Sequence, residues 1–319
     1  DGDPSIDLSN QTFGLDFDFR DHSFLTDKTL ELGAWLQSNN TEGINKDDTA
    51  WGLSASYPND IINVSVSFKE LQKNFKPALG FVNRTDIRKY SFEGRYRHHL
   101  DKFGIQLLDH SLNAYVTTDL TDKIKTSTLF LNYLNFTTYQ GDFLRLAVED
   151  TNENLIIPFN FLNKVVIEPL DYHYNRYWLI ANTSTARSWI INATWNTGQF
   201  YSGDKDTISV ELKWRPSINI NTAIKIRNDD ININQQNINF SQIKLTLDLT
   251  VSNTLSWQNY FQYDDLSRQL GISSRLHWVY KPEFESHISF NSNYLKTLDD
   301  SFQQEVRELT FRVGGMWRF

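Results

Sequence analysis

The chain has 319 residues, a formal net charge of −8 and no cysteine. Disulfide frameworks and thiolate metal sites are thereby excluded, and with no basic stripe a nucleic-acid partner is disfavoured. No run of about eighteen apolar residues exists, which excludes transmembrane helices. Yet aromatics reach 14 %, with 9 Trp, 14 Tyr and 22 Phe, against only 39 % hydrophobic residues overall.

Residues 1–10 are polar and read as a tail or loop, followed from residue 11 by almost uninterrupted alternation. Phe13, Leu15, Phe17 and Phe19 alternate with Thr12, Gly14, Asp16 and Asp18. Leu30, Leu32, Ala34 and Leu36 alternate with Glu31, Gly33, Trp35 and Gln37. Side chains of a strand point to opposite faces with period two, so each such segment has one apolar and one polar face. Strands follow around Trp51–Tyr57, Ile62–Phe68 and Tyr90–Tyr96. The segments 125–136 and 172–182 are apolar or mixed on both faces and leave their register open. From Trp189 onward the alternation is regular again, through Ile208–Trp214, Ile218–Ile226, Ile243–Leu249, Leu255–Tyr263, Leu276–Tyr280 and Ile288–Phe290. The count comes to seventeen strands of about 10 residues, the length a tilted strand needs to cross a bilayer.

The last strand, EVRELTFRVGGMWRF (305–319), places Leu309, Phe311 and Val313 on one face and Glu308, Thr310 and Arg312 on the other. It ends on an aromatic residue with no polar tail behind it. Outer-membrane barrels end this way, and Trp317 and Phe319 are the expected signal for barrel-assembly machinery. Connections divide into short ones carrying proline, at 57–60, 215–217 and 280–284, and long ones at 38–48, 70–87, 149–171, 198–206 and 228–241. Short turns at one end and long loops at the other are the barrel pattern. The polar faces carry Asp, Glu, Lys and Arg at mid-strand, which a dry sandwich core could not hold unpaired but a wet lumen can. The fold class expected is therefore all-β, an antiparallel transmembrane β-barrel of about sixteen to twenty strands. A lectin-like sandwich or propeller is the soluble alternative.

The inward charges are of both signs. They either select and bind a solute or pair across neighbouring strands and hydrate the lumen. Trp35, Arg95, Arg145, Lys213, Arg275 and Arg312 are the lumen-lining candidates. The seven histidines show no metal-ligand spacing, GLSAS (52–56) is not a nucleophile elbow, and no catalytic residue, metal or cofactor is expected. The loop 149–171 holds Leu155, Ile156, Ile157, Phe159 and Phe161, too apolar to stand free in water, and is expected to bury against the barrel or bind something.

Three pieces, FKPALGFVNRTDIR (75–88), the run from Gly141-Asp142 through Glu153-Asn154-Leu155 to Pro158-Phe159, and GQFYSG (198–203), carry a resemblance. From GLDFDFR (14–20) to Phe319 the chain resembles a family of outer-membrane barrels of unassigned function, usually found behind a periplasmic carbohydrate-binding module of family-9 type. The resemblance implies a barrel near sugar-handling proteins and brings no catalytic residues with it. The 319 residues carry no such module and no signal peptide. Walking the strands back from Phe319 gives an odd count, so either one further strand lies within 104–150 or, as the resemblance favours, an odd number of strands ahead of Asp1, or a second chain, is expected to complete the barrel.

The function expected is a non-enzymatic channel or binder for small hydrophilic solutes, oligosaccharides among them, in a Gram-negative outer membrane with lipid and lipopolysaccharide around it. A plugged barrel anchoring a surface or periplasmic partner is one alternative, a hydrolase on the barrel rim another.

Overall fold

The computed structural model describes residues 10–41, 43, 46–77, 80–297 and 299–315. Residues 1–9 and the terminal Trp317 and Phe319 lie outside them. Nineteen strands run in chain order among the described residues: β1 (Asn10–Phe24), β2 (Lys28–Thr41), β3 (Thr49–Pro58), β4 (Ile62–Leu71), β5 (Ile87–Lys102), β6 (Ile105–Thr118), β7 (Ile124–Thr138), β8 (Phe143–Asn154), β9 (Phe159–Phe161), β10 (Val165–Ile167), β11 (Asp171–Asn182), β12 (Trp189–Phe200), β13 (Gly203–Ser217), β14 (Ile220–Ile233), β15 (Gln236–Ser252), β16 (Leu255–Asp264), β17 (Gln269–Lys281), β18 (Phe284–Lys296) and β19 (Phe302–Gly315). Seventeen of them form one sheet, while β9 and β10 make a small hairpin of their own. The described strand pairs are antiparallel between sequence neighbours, as in β1–β2 and β18–β19. Asp1–Phe136 with Leu146–Tyr177 form one compact unit, and Thr137–Arg145 with Trp178–Phe319 another.

Register turns the alternation into two faces. In the first unit Phe17, Ala34, Leu53, Phe68, Tyr90 and Val116 form one cross-strand row. In the second, Ile191, Leu212, Ile224, Leu245, Phe261 and Ile272 do the same. These are large apolar side chains left open: Leu53 is 52 % exposed and Leu245 40 %. An uncovered apolar surface continued over strand after strand meets lipid rather than water. The opposite, inner face carries rows such as Asn192, Glu211, Lys225, Lys244 and Gln262. The chain is an all-β, antiparallel barrel of the transmembrane class.

The edges of the apolar belt are written in the register. Above Ile226–Ile243 the outward pairs become Asn228–Ser241, Asp230–Asn239 and Asn232–Asn237. On the inner side of the same hairpin Ile231, Ile233, Ile238 and Phe240 are buried. The apolar and polar faces have exchanged places, as they must where a strand leaves hydrocarbon for water. Above Phe68–Tyr90 the outward pair is likewise ionic, Glu70–Arg88 at 2.7 Å. Toward the short-turn ends of the second unit, Trp189 stacks on Trp214 at 5.2 Å and Trp278 packs near Tyr280, the amphipathic aromatics of an interfacial girdle. Asn259 interrupts the outward face but is internally satisfied. It donates to the Leu247 carbonyl and accepts from Ser274 Oγ at 2.9 Å, as an apolar medium requires.

Two expected long loops are tight turns instead. The region 198–206 contains only Tyr201-Ser202 between β12 and β13, and 228–241 only Asn234-Gln235 between β14 and β15. Asn234 and Gln235 both adopt positive φ, 49° and 64°, the backbone of a type I′ hairpin turn. Asn, Asp and Gln read as loop residues, yet here they are the wet face of strands above the membrane. The length asymmetry survives in the first unit, where 42–48 and 72–86 contrast with 25–27, 59–61 and 103–104. The two open segments become β7, with Thr128 and Asn132 buried and Leu129, Leu131 and Tyr133 exposed, and β11, with Tyr172, Tyr174 and Arg176 buried. The loop 149–171 is partly strand, and Val165 and Ile167 of its hairpin are buried.

Gly203 holds the entry to β13. A Cβ there would sit 1.8 Å from the Asn232 carbonyl oxygen, and a backbone atom cannot step aside as a side chain can. Gly203→Ala is expected to cost at least the roughly 1–3 kcal/mol of overpacking. A lowered urea midpoint of the refolded protein would register it, and an unchanged midpoint would refute the close approach.

Candidate functional site

The inner face of the first unit is built around Trp35. Register places it between Asp16 and Gly52. A Cβ on residue 52 would lie 2.6–2.7 Å from the Trp35 indole, so glycine at 52 is what lets the ring lie flat along the wall. Gly33 is similarly crowded by Ser54 Oγ at 2.6 Å, and the wall beside it is lined by Asp18, Arg20, Glu31, Gly33, Ser54 and Ser56 around a cavity of about 480 Å³. Arg20 pairs with Glu31 at 2.7 Å, and Ser56 Oγ donates to the same carboxylate. The result is a polar recess along β1, β2 and β3.

Against this wall packs the connection between β4 and β5, described at 72–77 and 80–86. Ala50, Leu71 and Ile87 form one inner row, and Phe75 of the segment packs on them, only 3 % exposed, with Trp35 and Val82 against the cluster. The segment is tied down by backbone and side-chain bonds: Gln72 N to Thr49 O at 3.0 Å, Asn74 N to Asp47 O and Asn74 Nδ2 to Lys46 O, both 2.7 Å, and Asn10 Nδ2 to Lys76 O at 3.1 Å. Phe75 opens the FKPALGFVNRTDIR stretch, and its ring is the buried anchor of that stretch on the wall.

The other candidates are held by near neighbours. Arg95 donates to the carbonyls of Asn59 and Asp60. Arg145 stacks on Phe143, 5.0 Å from the ring centre. Lys213 pairs with Glu211 at 3.2 Å. Arg275 lies 3.1 Å from His287 Nδ1, and Arg312 is the register partner of His287 on β19. Thus Arg275 and Arg312 both neighbour His287, one by side chain and one by register, while Arg95, Arg145 and Lys213 serve local contacts. Pairing across or along strands accounts for much of the inward charge. The tightest case is Asp229, fully buried, which accepts Arg227 in two bonds of 2.6 and 3.0 Å and Thr207 Oγ1 at 2.7 Å.

In the turns, acidic groups are fixed by donors. Hydrogen bonds from His99 and then Arg97 hold the Asp60 carboxyl below the usual carboxylate range. Thr121, Lys125 and the backbone of the 119–123 turn do the same for Asp119. Sequence reasoning missed Phe75, Gly52 and a group on β17 and β18, His277, Glu285 and His287. Only the pairing register brings these together, and no spacing within one strand signals it.

No family model matches the sequence, and no curated protein matches it. Among solved structures, the outer membrane channel DcaP of Acinetobacter baumannii is similar over 99 % of each chain, at 9 % identity and a TM-score of 0.32. The fold assignment stands on the chain's own register and exposure.

Proposed function

We propose that this chain is a non-enzymatic channel of the outer membrane for small hydrophilic solutes, narrowed by the segment 72–86. One observation carries the reading: the inner face is charged and polar along rows several strands wide, while the outer face is open and apolar. A wall of that kind is stable only with water on one side and lipid on the other. Oligosaccharides are the solute class best matched to the recess. Trp35 is the register partner of Asp16, which sets an aromatic ring for a sugar face next to a carboxylate acceptor for its hydroxyls.

The rival reading is a plugged barrel that anchors a partner. Its support is the burial of Ile231, Ile233, Ile238 and Phe240 on the inner side of β14 and β15, an apolar patch where an open lumen calls for polar residues. Single-channel recording in planar bilayers separates the two. Discrete conductance steps, with sugar-dependent current noise that weakens in Trp35→Ala, support the channel. A silent bilayer from folded protein rejects it in favour of the anchor.

A further inference from the structure

His277 and His287 are directly opposite each other on β17 and β18, and Glu285 precedes His287 by two residues and so shares its inner face. His277 Nε2 is 3.0 Å from one carboxylate oxygen of Glu285, and His287 Nε2 is 3.5 Å from the other. The two rings stack 4.2 Å apart and within 6° of parallel. One ligand atom from each of the three residues falls within 4.8 Å of the others. All three project from neighbouring strands beside the tight Pro282-Glu283 turn, so the backbone fixes their spacing.

We propose that His277, Glu285 and His287 form a binding site for a divalent ion of the Zn²⁺ or Ni²⁺ class on the inner wall. Two imidazoles and one carboxylate are the donor set that zinc takes when it keeps a further position open. Imidazole nitrogen selects borderline ions of this kind over Ca²⁺ and Mg²⁺, which want oxygen. With metal–ligand bonds of about 2.0–2.2 Å, ligands of a tetrahedral ion stand ~3.3 Å apart, and the Glu285 distances to the two imidazoles bracket that value. The stacked rings must tilt to aim both lone pairs at one ion. His277 and Glu285 are 34 % and 50 % exposed at the side chain, which leaves room for the rotation.

Two cations oppose the ion. Arg275 directs a guanidinium N–H at Nδ1 of His287. That makes Nδ1 the acceptor and leaves the ring proton on Nε2, facing Glu285. Arg312 is across from His287 on β19. A metal on Nε2 needs the proton moved to Nδ1 and the Arg275 donor turned away. Arg275 is therefore a competitor built into the site, and its removal makes binding tighter. A purely structural arginine would not have that effect.

The experiment is titration of the full detergent-solubilised chain with Zn²⁺ against a chromophoric chelator, with Ca²⁺ and Mg²⁺ as controls. The expected result is a single Zn²⁺ site, weakened at least about tenfold in His277→Gln and in His287→Gln, tightened in Arg275→Gln, and indifferent to Ca²⁺ and Mg²⁺. Heat-modifiable migration on gels checks that each variant is folded, and Arg275→Gln, a gain in affinity, cannot arise from misfolding. Absence of Zn²⁺ binding up to millimolar concentration overturns the proposal. So does a site that survives the double His277→Gln, His287→Gln change, or one that weakens in Arg275→Gln.

Discussion

Leu245→Arg is expected to destabilise the folded protein in lipid by about 2–4 kcal/mol, the cost of a cation on the lipid face near the bilayer midplane. Leu245 is at the middle of β15, between Ile224 and Phe261 on the open apolar face. The adjoining Thr246→Arg moves the same charge to the inner face, between Ala223 and Tyr260, where water solvates it and the cost is expected to be small. Equilibrium unfolding in lipid vesicles measures both. Equal penalties for the two neighbours would mean that the faces of β15 are not lipid and water.

Phe75→Ala has the second large effect, and it is local. Replacing a buried phenylalanine by alanine removes about 3–5 kcal/mol of packing. Here the ring pins a connecting segment, so the loss is expected in the segment 72–86 rather than in the sheet. The variant should fold with the wild-type strand content, become open to proteolysis between Gln72 and Asp86, and conduct more than the wild type. Unchanged protease resistance, together with unchanged conductance, would show that the segment neither depends on Phe75 nor narrows the path.

Much of the sheet was legible because period-two alternation is a direct imprint of a two-faced wall. Seventeen strands were countable, and Leu309, Phe311 and Val313 fall opposite Glu308, Thr310 and Arg312 in the register of β19 as the pattern implies. The pattern failed where the solvent changes along a strand. In 228–241 the inner side carries Ile231, Ile233, Ile238 and Phe240 and the outer side asparagines, so a reader looking for lipid-facing apolar residues meets what looks like a polar loop. Apart from Trp35 the lumen candidates were chosen for charge, and charge is cheap to satisfy on a sheet: Lys213 has Glu211, and Arg95 has two turn carbonyls. What shapes the inner surface is less conspicuous. Gly52 matters because of a ring that lies across it, Phe75 because a loop folds inward, and His277, Glu285 and His287 because two strands pair in one register. None of these relations exists within a single strand's sequence.

The claim at the centre of the account is that β15 has lipid on one side and water on the other, and the absence of cysteine makes it directly testable. Single cysteines placed in turn at Ile243, Lys244, Leu245, Thr246, Leu247 and Asp248 can be challenged in sealed lipid vesicles with a charged, membrane-impermeant maleimide. The account predicts labelling at 244, 246 and 248 and protection at 243, 245 and 247. Uniform labelling, uniform protection or the opposite phase would contradict it.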